Sequence, residues 1–318
     1  MKLWPVRQPA FGMAMGGWSR KGVMRRLGRL GAAVVIGIAL GTAVLAVIIW
    51  TQIEKRFLFF PTQEIAYTPG QAGLDYEEAF FFTQDGLRLH GWYVPGRTDV
   101  TWLWFHGNGG NISHRVDEMA LIQQRLGVNQ FIFDYQGYGR SEGRPTEQGT
   151  YRDARAALEY LRARPDIEGD RIVYFGRSLG SAIAVELASS QPPLAMVLVS
   201  PFTSVGDMAR LTIPFLPVQW LVRDRYDSLA SIGRVERPLL IIHGDQDDTV
   251  PVSQGRKLFE AANSPKHFRL LVGAGHNDTY YRGGTAYWDA ISEFTAGLPN
   301  QPSSPGPGES RVRNEPGD

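Results

Sequence analysis

The 318-residue sequence contains no cysteine. Disulfides, a cysteine nucleophile and thiolate metal sites are therefore excluded, while the redox compartment stays open. Net charge is also nearly absent: 33 Lys and Arg stand against 32 Asp and Glu, for a total of +1. Such a chain has no long-range field to recruit nucleic acid or an acidic polymer, so nucleic acid is not an expected partner. There is no internal repeat, no glycine-rich loop followed by lysine at phosphate-binding spacing, and no G-x-G-x-x-G in a dinucleotide context. Histidine is scarce, with six in all, and each can be accounted for singly.

Charge is missing altogether from Leu30 to Ile53. A stretch of that length crosses a hydrocarbon core of about 30 Å as a helix, and 30–50 is expected to be one transmembrane helix. A cleaved signal peptide is the competing reading. Against it stand a long basic region, an apolar run longer than a typical signal core and the lack of a clean A-x-A site. Lys2, Arg7, Arg20, Lys21, Arg25, Arg26 and Arg29 precede the span with no acidic residue, whereas only Lys55 and Arg56 follow closely. The positive-inside rule then keeps segment 1–29 in the cytoplasm and puts the rest of the chain in an extracytoplasmic space, the periplasm in a bacterium. Residues 51–65 are expected as a juxtamembrane stalk. In it, Phe57, Phe59 and Phe60 either lie at the membrane surface or pack on the domain that follows. From Pro299 to Asp318 aromatics are absent and Pro, Gly, Ser and charge dominate, so 299–318 is expected to be a disordered tail.

The remaining segment, 66–298, reads as one α/β domain. Tyr76 to Thr83 and Leu87 to Val94 flank the turn signal Gln84-Asp85-Gly86 and predict an antiparallel opening. Short apolar runs follow at 101–105, 130–135, 171–175, 196–200, 239–243 and 267–271. Helical periodicity between them, over Glu147 to Arg164 and Ser253 to Ala262, predicts a mostly parallel central sheet with helices on both faces.

Gly176-Arg177-Ser178-Leu179-Gly180 lies between the apolar run RIVYF and the helical stretch SAIAVELASS. In strand-turn-helix context this G-x-S-x-G pattern is a nucleophile elbow, with Ser178 lifted clear of the sheet. The following helix points its N-terminus at the site, so the Leu179 N–H is placed to stabilise an oxyanion. A serine hydroxyl needs a base, and the base a carboxylate to orient it. LLIIHGDQDDTVP offers Asp245, Asp247 and Asp248 past one run, and LLVGAGHNDTY offers His276 past the next. His90, His114 and His267 sit in strand or helix contexts, His243 is expected to shape its turn and His106 to brace its loop, and chain order together with a Gly-flanked loop selects His276 as the base.

TWLWFHGNGGN, FDYQGYGRSEGRPTE, GRSLGS, HGDQDDTVP and GAGHND, taken in order over about residues 53 to 296, resemble the Bem46-like branch of the α/β-hydrolases. That resemblance implies a serine hydrolase of acyl esters or thioesters, frequently of lipids and often membrane-anchored. Acyl transfer to water through a serine acyl-enzyme needs no metal or organic cofactor. In the family's H-G-x-x-D-x-x-V-P pattern the acid is the third residue after the glycine, which selects Asp247. The His106-Gly107-Asn108 loop then supplies the second oxyanion N–H, assigned to Asn108. Tyr138 is expected to order a loop near the site. The insertion between Ser200 and Pro238, with Phe202, Leu211, Ile213, Phe215 and Trp220 among its apolar residues, is expected to form a small cap over an acyl pocket. The expected partners are a small acyl ester or lipid substrate and the bilayer. An S33-type serine peptidase and a non-catalytic membrane-tethered binding protein are the alternative functions.

Overall fold

The computed structural model describes residues 36–38, 40–42, 45, 58–212 and 222–298. The chain divides into two compact units, Met1–Ile53 and Glu54–Asp318. Within the expected membrane span only residues 36–38, 40–42 and 45 are described, and these are helical and exposed. Among the described residues no helix is long and apolar enough to cross a membrane. The rest of the span, segment 1–29 and the tail 299–318 lie outside the described residues.

The second unit begins with a two-residue strand, β1 (Phe60–Pro61), followed by β2 (Glu77–Phe82), β3 (Arg88–Val94), β4 (Thr101–Phe105) and the short β5 (Gly109–Gly110). Helix α1 (Val116–Arg125), β6 (Asn129–Phe133), α2 (Glu147–Arg162), β7 (Ile172–Arg177), α3 (Leu179–Ala188) and β8 (Ala195–Val199) complete the first half. After α4 (Val205–Thr212) and α5 (Ser228–Ile232) come β9 (Leu239–Gly244), α6 (Val252–Ala261), β10 (Lys266–Leu271), α7 (Thr279–Arg282) and α8 (Gly284–Ala296).

Eight strands form one sheet in the order β10-β9-β8-β7-β4-β6-β3-β2. β2 and β3 pair antiparallel, β3 runs antiparallel to β6, and every other pair is parallel. The five central parallel strands β4, β6, β7, β8 and β9 are buried along their whole length. That burial is why they read as continuous apolar runs instead of alternating ones. Alternate side chains divide the core in two. Leu103, Phe105 and Tyr174 pack with α2, α3 and Leu258 of α6, whereas Trp102, Trp104 and Phe175 pack with Met119 of α1 and Trp288 of α8. Helices therefore cover both faces. The edge strand β2 instead alternates, burying Ala79 and Phe81 and exposing Phe80 and Phe82.

In the insertion expected as a cap, Phe202 is buried against the body and Leu211 of α4 is exposed. Ile213, Phe215 and Trp220 fall outside the described residues. The returning segment is clamped to the N-terminus of α2. Glu147 accepts hydrogen bonds from the Arg225 and Tyr226 amides at 2.7 and 2.8 Å, and the Tyr226 ring is fully buried.

Candidate active site

The loops after β4, β7, β9 and β10 meet at the carboxyl edge of the sheet, where open α/β sheets hold their ligands. β7 ends at Arg177 and α3 begins at Leu179, which leaves Ser178 alone to make the turn, with φ 51° and ψ −117°. A conformation of this kind costs a non-glycine residue on the order of 1–3 kcal/mol and persists only where its surroundings impose it. Here the flanking glycines permit it. A Cβ on Gly180 would sit 1.9 Å from the Phe105 carbonyl oxygen, and one on Gly176 would sit 2.7 Å from the Ser181 Cα. The elbow is thus seated directly on β4, and the Ser178 N–H is tied to the Val199 carbonyl at 2.9 Å.

Ser178 Oγ lies 3.0 Å from Nε2 of His276, and Nδ1 of the same ring lies 2.8 Å from Oδ2 of Asp247. The structure brings these three side chains together across 98 residues of sequence because β7, β8, β9 and β10 are consecutive neighbours in the sheet. Asp247 is 7% exposed, and its other oxygen accepts from the Val250 and Thr249 amides at 2.7 and 3.1 Å. Burial works to raise its pKa, but the hydrogen bonds from His243, His276 and the Val250 amide outweigh burial and hold it below the usual carboxylate range. His243 is fully buried; its Nε2 donates to the Val250 carbonyl at 2.8 Å and stands 3.4 Å from Asp247 Oδ2. The ring both shapes the turn and faces the carboxylate. The two alternative acids are engaged elsewhere. Asp245 accepts from the Gly273 amide at 2.7 Å, while Asp248 is exposed, with the neighbouring Thr249 hydroxyl at 3.3 Å.

Gly107 runs beside Ser178, where a Cβ would make ordinary van der Waals contact with the Ser178 Cβ at 3.7 Å. Asn108 follows it. Among the described residues, neither the Asn108 N–H nor the Leu179 N–H has a hydrogen-bond acceptor. The latter is a first-turn donor of α3, unsatisfied by helix geometry itself. The loop is braced from beneath: Tyr135 and Tyr138 donate their hydroxyls to the His106 and Asn108 carbonyls at 2.9 and 2.8 Å. His106 packs against Tyr135 with ring centres 4.2 Å apart and planes tilted by 31°, and its Nδ1 donates to the Gly107 carbonyl at 2.6 Å. Burial, helped by the Arg115 charge, lowers its pKa to about 3, so the ring is neutral at physiological pH and acts as a brace. Among the described residues no group of three or more His, Asp or Glu side chains is placed to hold a metal ion.

Sequence reasoning passed over Arg177, the variable residue of the G-x-S-x-G pattern. Its guanidinium is buried, donating to the His276 carbonyl at 2.9 Å and to Thr279 Oγ1 at 3.0 Å, and pairing with Glu118 Oε1 at 3.4 Å. Tyr287 donates to the same carboxylate oxygen at 3.1 Å. The histidine loop is in this way fastened to α1 and α8 through one side chain. Removing one member of a buried ion pair leaves the other charge uncompensated, so Arg177→Met is expected to destabilise the fold by about 3–5 kcal/mol. Arg177→Met/Glu118→Gln should recover most of that loss. Urea unfolding of both variants checks this; equal stability of Arg177→Met and the unaltered protein would show that the pair is not coupled.

Comparison with known proteins agrees with this architecture. The family model described as serine aminopeptidase, S33, matches residues 97–229. The α/β-hydrolase domain-containing protein WAV2 of Arabidopsis thaliana is 34% identical over 290 residues, covering 83% of this chain and 91% of its own. The protein bem46 of Schizosaccharomyces pombe is 32% identical over 245 residues, covering 74% and 81%. Among solved structures, the Pyrococcus furiosus esterase Pf2001 superposes with a TM-score of 0.65 at 20% identity, covering 76% of this chain and 98% of its own, a likeness of fold. With the relatives aligned over most of both chains and the elbow, sheet order and loop arrangement in place, the chain belongs to the α/β-hydrolase family of Bem46 and WAV2.

Proposed function

We propose that the protein is a membrane-anchored serine hydrolase that cleaves carboxylic esters or thioesters through a covalent acyl-enzyme. One observation carries the reading: the continuous hydrogen-bonded series Ser178 Oγ, His276 and Asp247, at 3.0 and 2.8 Å, beside two backbone amides that have no acceptor among the described residues. Ser178 attacks the carbonyl while His276 Nε2 takes its proton, and Asp247 keeps the His276 proton on Nδ1 and stabilises the imidazolium. The Asn108 and Leu179 amides hold the oxygen as it becomes negative. Collapse of the tetrahedral species expels the alcohol or thiol, protonated by His276, and water then repeats the sequence to release the acid. An aminopeptidase reading needs a carboxylate for the substrate amine; in the Asp247 loop, Asp247 is committed to His276 and Asp245 to the Gly273 amide, and Asp248 is exposed to solvent.

The substrate class is tested with p-nitrophenyl esters of increasing chain length beside lysophospholipids, acyl thioesters and aminoacyl anilides. Esters or thioesters are expected to turn over with kcat/KM at least about 10²-fold above the anilides. Preferential cleavage of the anilides would replace this reading with a peptidase.

Anchoring rests on the uncharged span 30–50 and on the excess of basic residues before it. A C-terminal reporter active only outside the cytoplasm is expected to give signal in cells carrying the full-length chain. Silence of that reporter in cells with active, full-length enzyme would put the domain on the cytoplasmic side.

A further inference from the structure

The oxyanion loop contains Gly107, Gly109 and Gly110, a composition that by itself leaves the backbone free to wander. Beside the Tyr135 and Tyr138 hydroxyls and the Arg115 guanidinium, which donates to the Gly109 carbonyl, a further restraint comes from far upstream. β1 lies parallel to β5, with Phe60 opposite Gly109 and Pro61 opposite Gly110. The Phe60 N–H donates to the Asn108 carbonyl at 3.3 Å, and the Thr62 N–H to the Gly110 carbonyl at 3.2 Å. In return the Asn108 side chain donates to the Leu58 carbonyl at 2.8 Å, so residue 108 is held by both its backbone and its side chain. Asn111 secures the end of the segment, donating to the carbonyls of Thr62 and Glu64 at 3.1 and 2.6 Å. The other margin is fixed by Phe59, only 4% exposed, whose ring meets Tyr226 edge-on at 6.3 Å. Tyr226 belongs to the clamped segment returning from the insertion. Phe60, in contrast, is 52% exposed and is held through its main chain.

We propose that residues 58–64 form a strap that positions the oxyanion hole, so that acyl transfer depends on the segment joining the apolar N-terminal region to the hydrolase domain. The proposal rests on Asn108 supplying an oxyanion N–H. A donor aimed at developing charge is effective only within a few tenths of an ångström of its proper place, and loss of one such donor lowers kcat by about 10²–10³-fold. The strap fixes that place from outside the segment matched by the S33 family, which begins at residue 97.

The test uses the full-length chain in detergent. Phe60→Pro deletes the N–H that reaches Asn108, whereas Phe60→Ala keeps it. The proline variant is expected to lose about tenfold or more in kcat on a p-nitrophenyl ester with KM within about threefold of wild type. Its inhibition constant for a trifluoromethyl ketone, whose hemiketal oxyanion occupies the hole, should rise by the same factor as kcat falls. Phe60→Ala should restore about tenfold of the lost rate relative to the proline variant. Should the proline ring prevent folding, an amide-to-ester replacement at Phe60 removes the N–H alone and is read in the same way. A kcat within about twofold of wild type, or a fallen kcat with an unmoved ketone constant, overturns the strap. Wild-type protein that is neither active on esters nor labelled at Ser178 removes the oxyanion reading, and the strap proposal with it.

Discussion

Ser178→Ala is expected to lower kcat for ester hydrolysis by about 10⁴- to 10⁶-fold while leaving the unfolding midpoint almost unchanged. The loss is large because, in the proposed mechanism, this hydroxyl is the attacking group and His276 Nε2, 3.0 Å away, takes its proton. Residual rate would come from the oxyanion amides and from substrate binding, which survive the change. The stability effect is small because the deleted oxygen is partly exposed and the strained turn is imposed by its surroundings, through the close seating of Gly176 and Gly180 and the Ser178 N–H bond to Val199. Kinetics with a short soluble ester and a thermal melt check both halves. Turnover within about tenfold of wild type would move the nucleophile to another residue.

Asp247→Asn is expected to lower kcat by about 10⁴-fold, with Asp245→Asn and Asp248→Asn each costing less than about tenfold. In the asparagine variant the carbonyl oxygen can still accept from the Thr249 and Val250 amides, which preserves the loop. The amide nitrogen then faces His276 Nδ1 and cannot accept its proton, so the proton moves to Nε2. A ring in that tautomer presents N–H to Ser178 Oγ and has no lone pair there to take the hydroxyl proton. Asp245 lacks this leverage, being bonded to the Gly273 amide, and Asp248 faces solvent beside Thr249. A further consequence concerns acid stability. The folded-state pKa of Asp247 lies below its ordinary value of 3.8, so the native protein binds fewer protons at this site than the unfolded chain. Its contribution to stability is present above about pH 4 and is lost as pH falls through the lowered value. The asparagine variant should lose stability less steeply with acid. Parallel kinetics on the three variants decide the assignment; a larger loss at Asp245 would overturn it.

Much of the sheet was legible because its signals are local. TWLWF and LLIIH are continuous apolar runs, and they form central strands buried on both faces. The Gln84-Asp85-Gly86 turn separates β2 from β3 as its composition predicts, since their pairing needs only neighbouring sequence. The elbow was readable for the same reason: small residues on either side of Ser178 announce a close approach before the identity of the approached chain is known.

What escaped sequence reading is non-local. The pairing of Phe60–Pro61 with Gly109–Gly110 uses proline and glycine, residues depleted in strands, and joins segments 49 residues apart. Phe59 accordingly read equally well as a membrane-surface aromatic or as a packing residue, and its burial against Tyr226 assigns it to packing. Arg177 carried no local signal because its partner Glu118 lies 59 residues earlier, on a helix whose glutamines and acidic residues weaken its apolar stripe. Helix α8 begins with glycine and carries no capping side chain, so no start signal marked it.

Covalent labelling reports directly whether Ser178 is acylated during turnover. Wild-type protein treated with a fluorophosphonate should gain one adduct per chain, mapped by mass spectrometry to the peptide containing Ser178, and should lose ester hydrolysis in step with labelling. Ser178→Ala should gain none. A hydrolytically active wild-type protein that takes up no probe at Ser178, or one whose activity disappears with an adduct on another residue, would rule out Ser178 as the nucleophile.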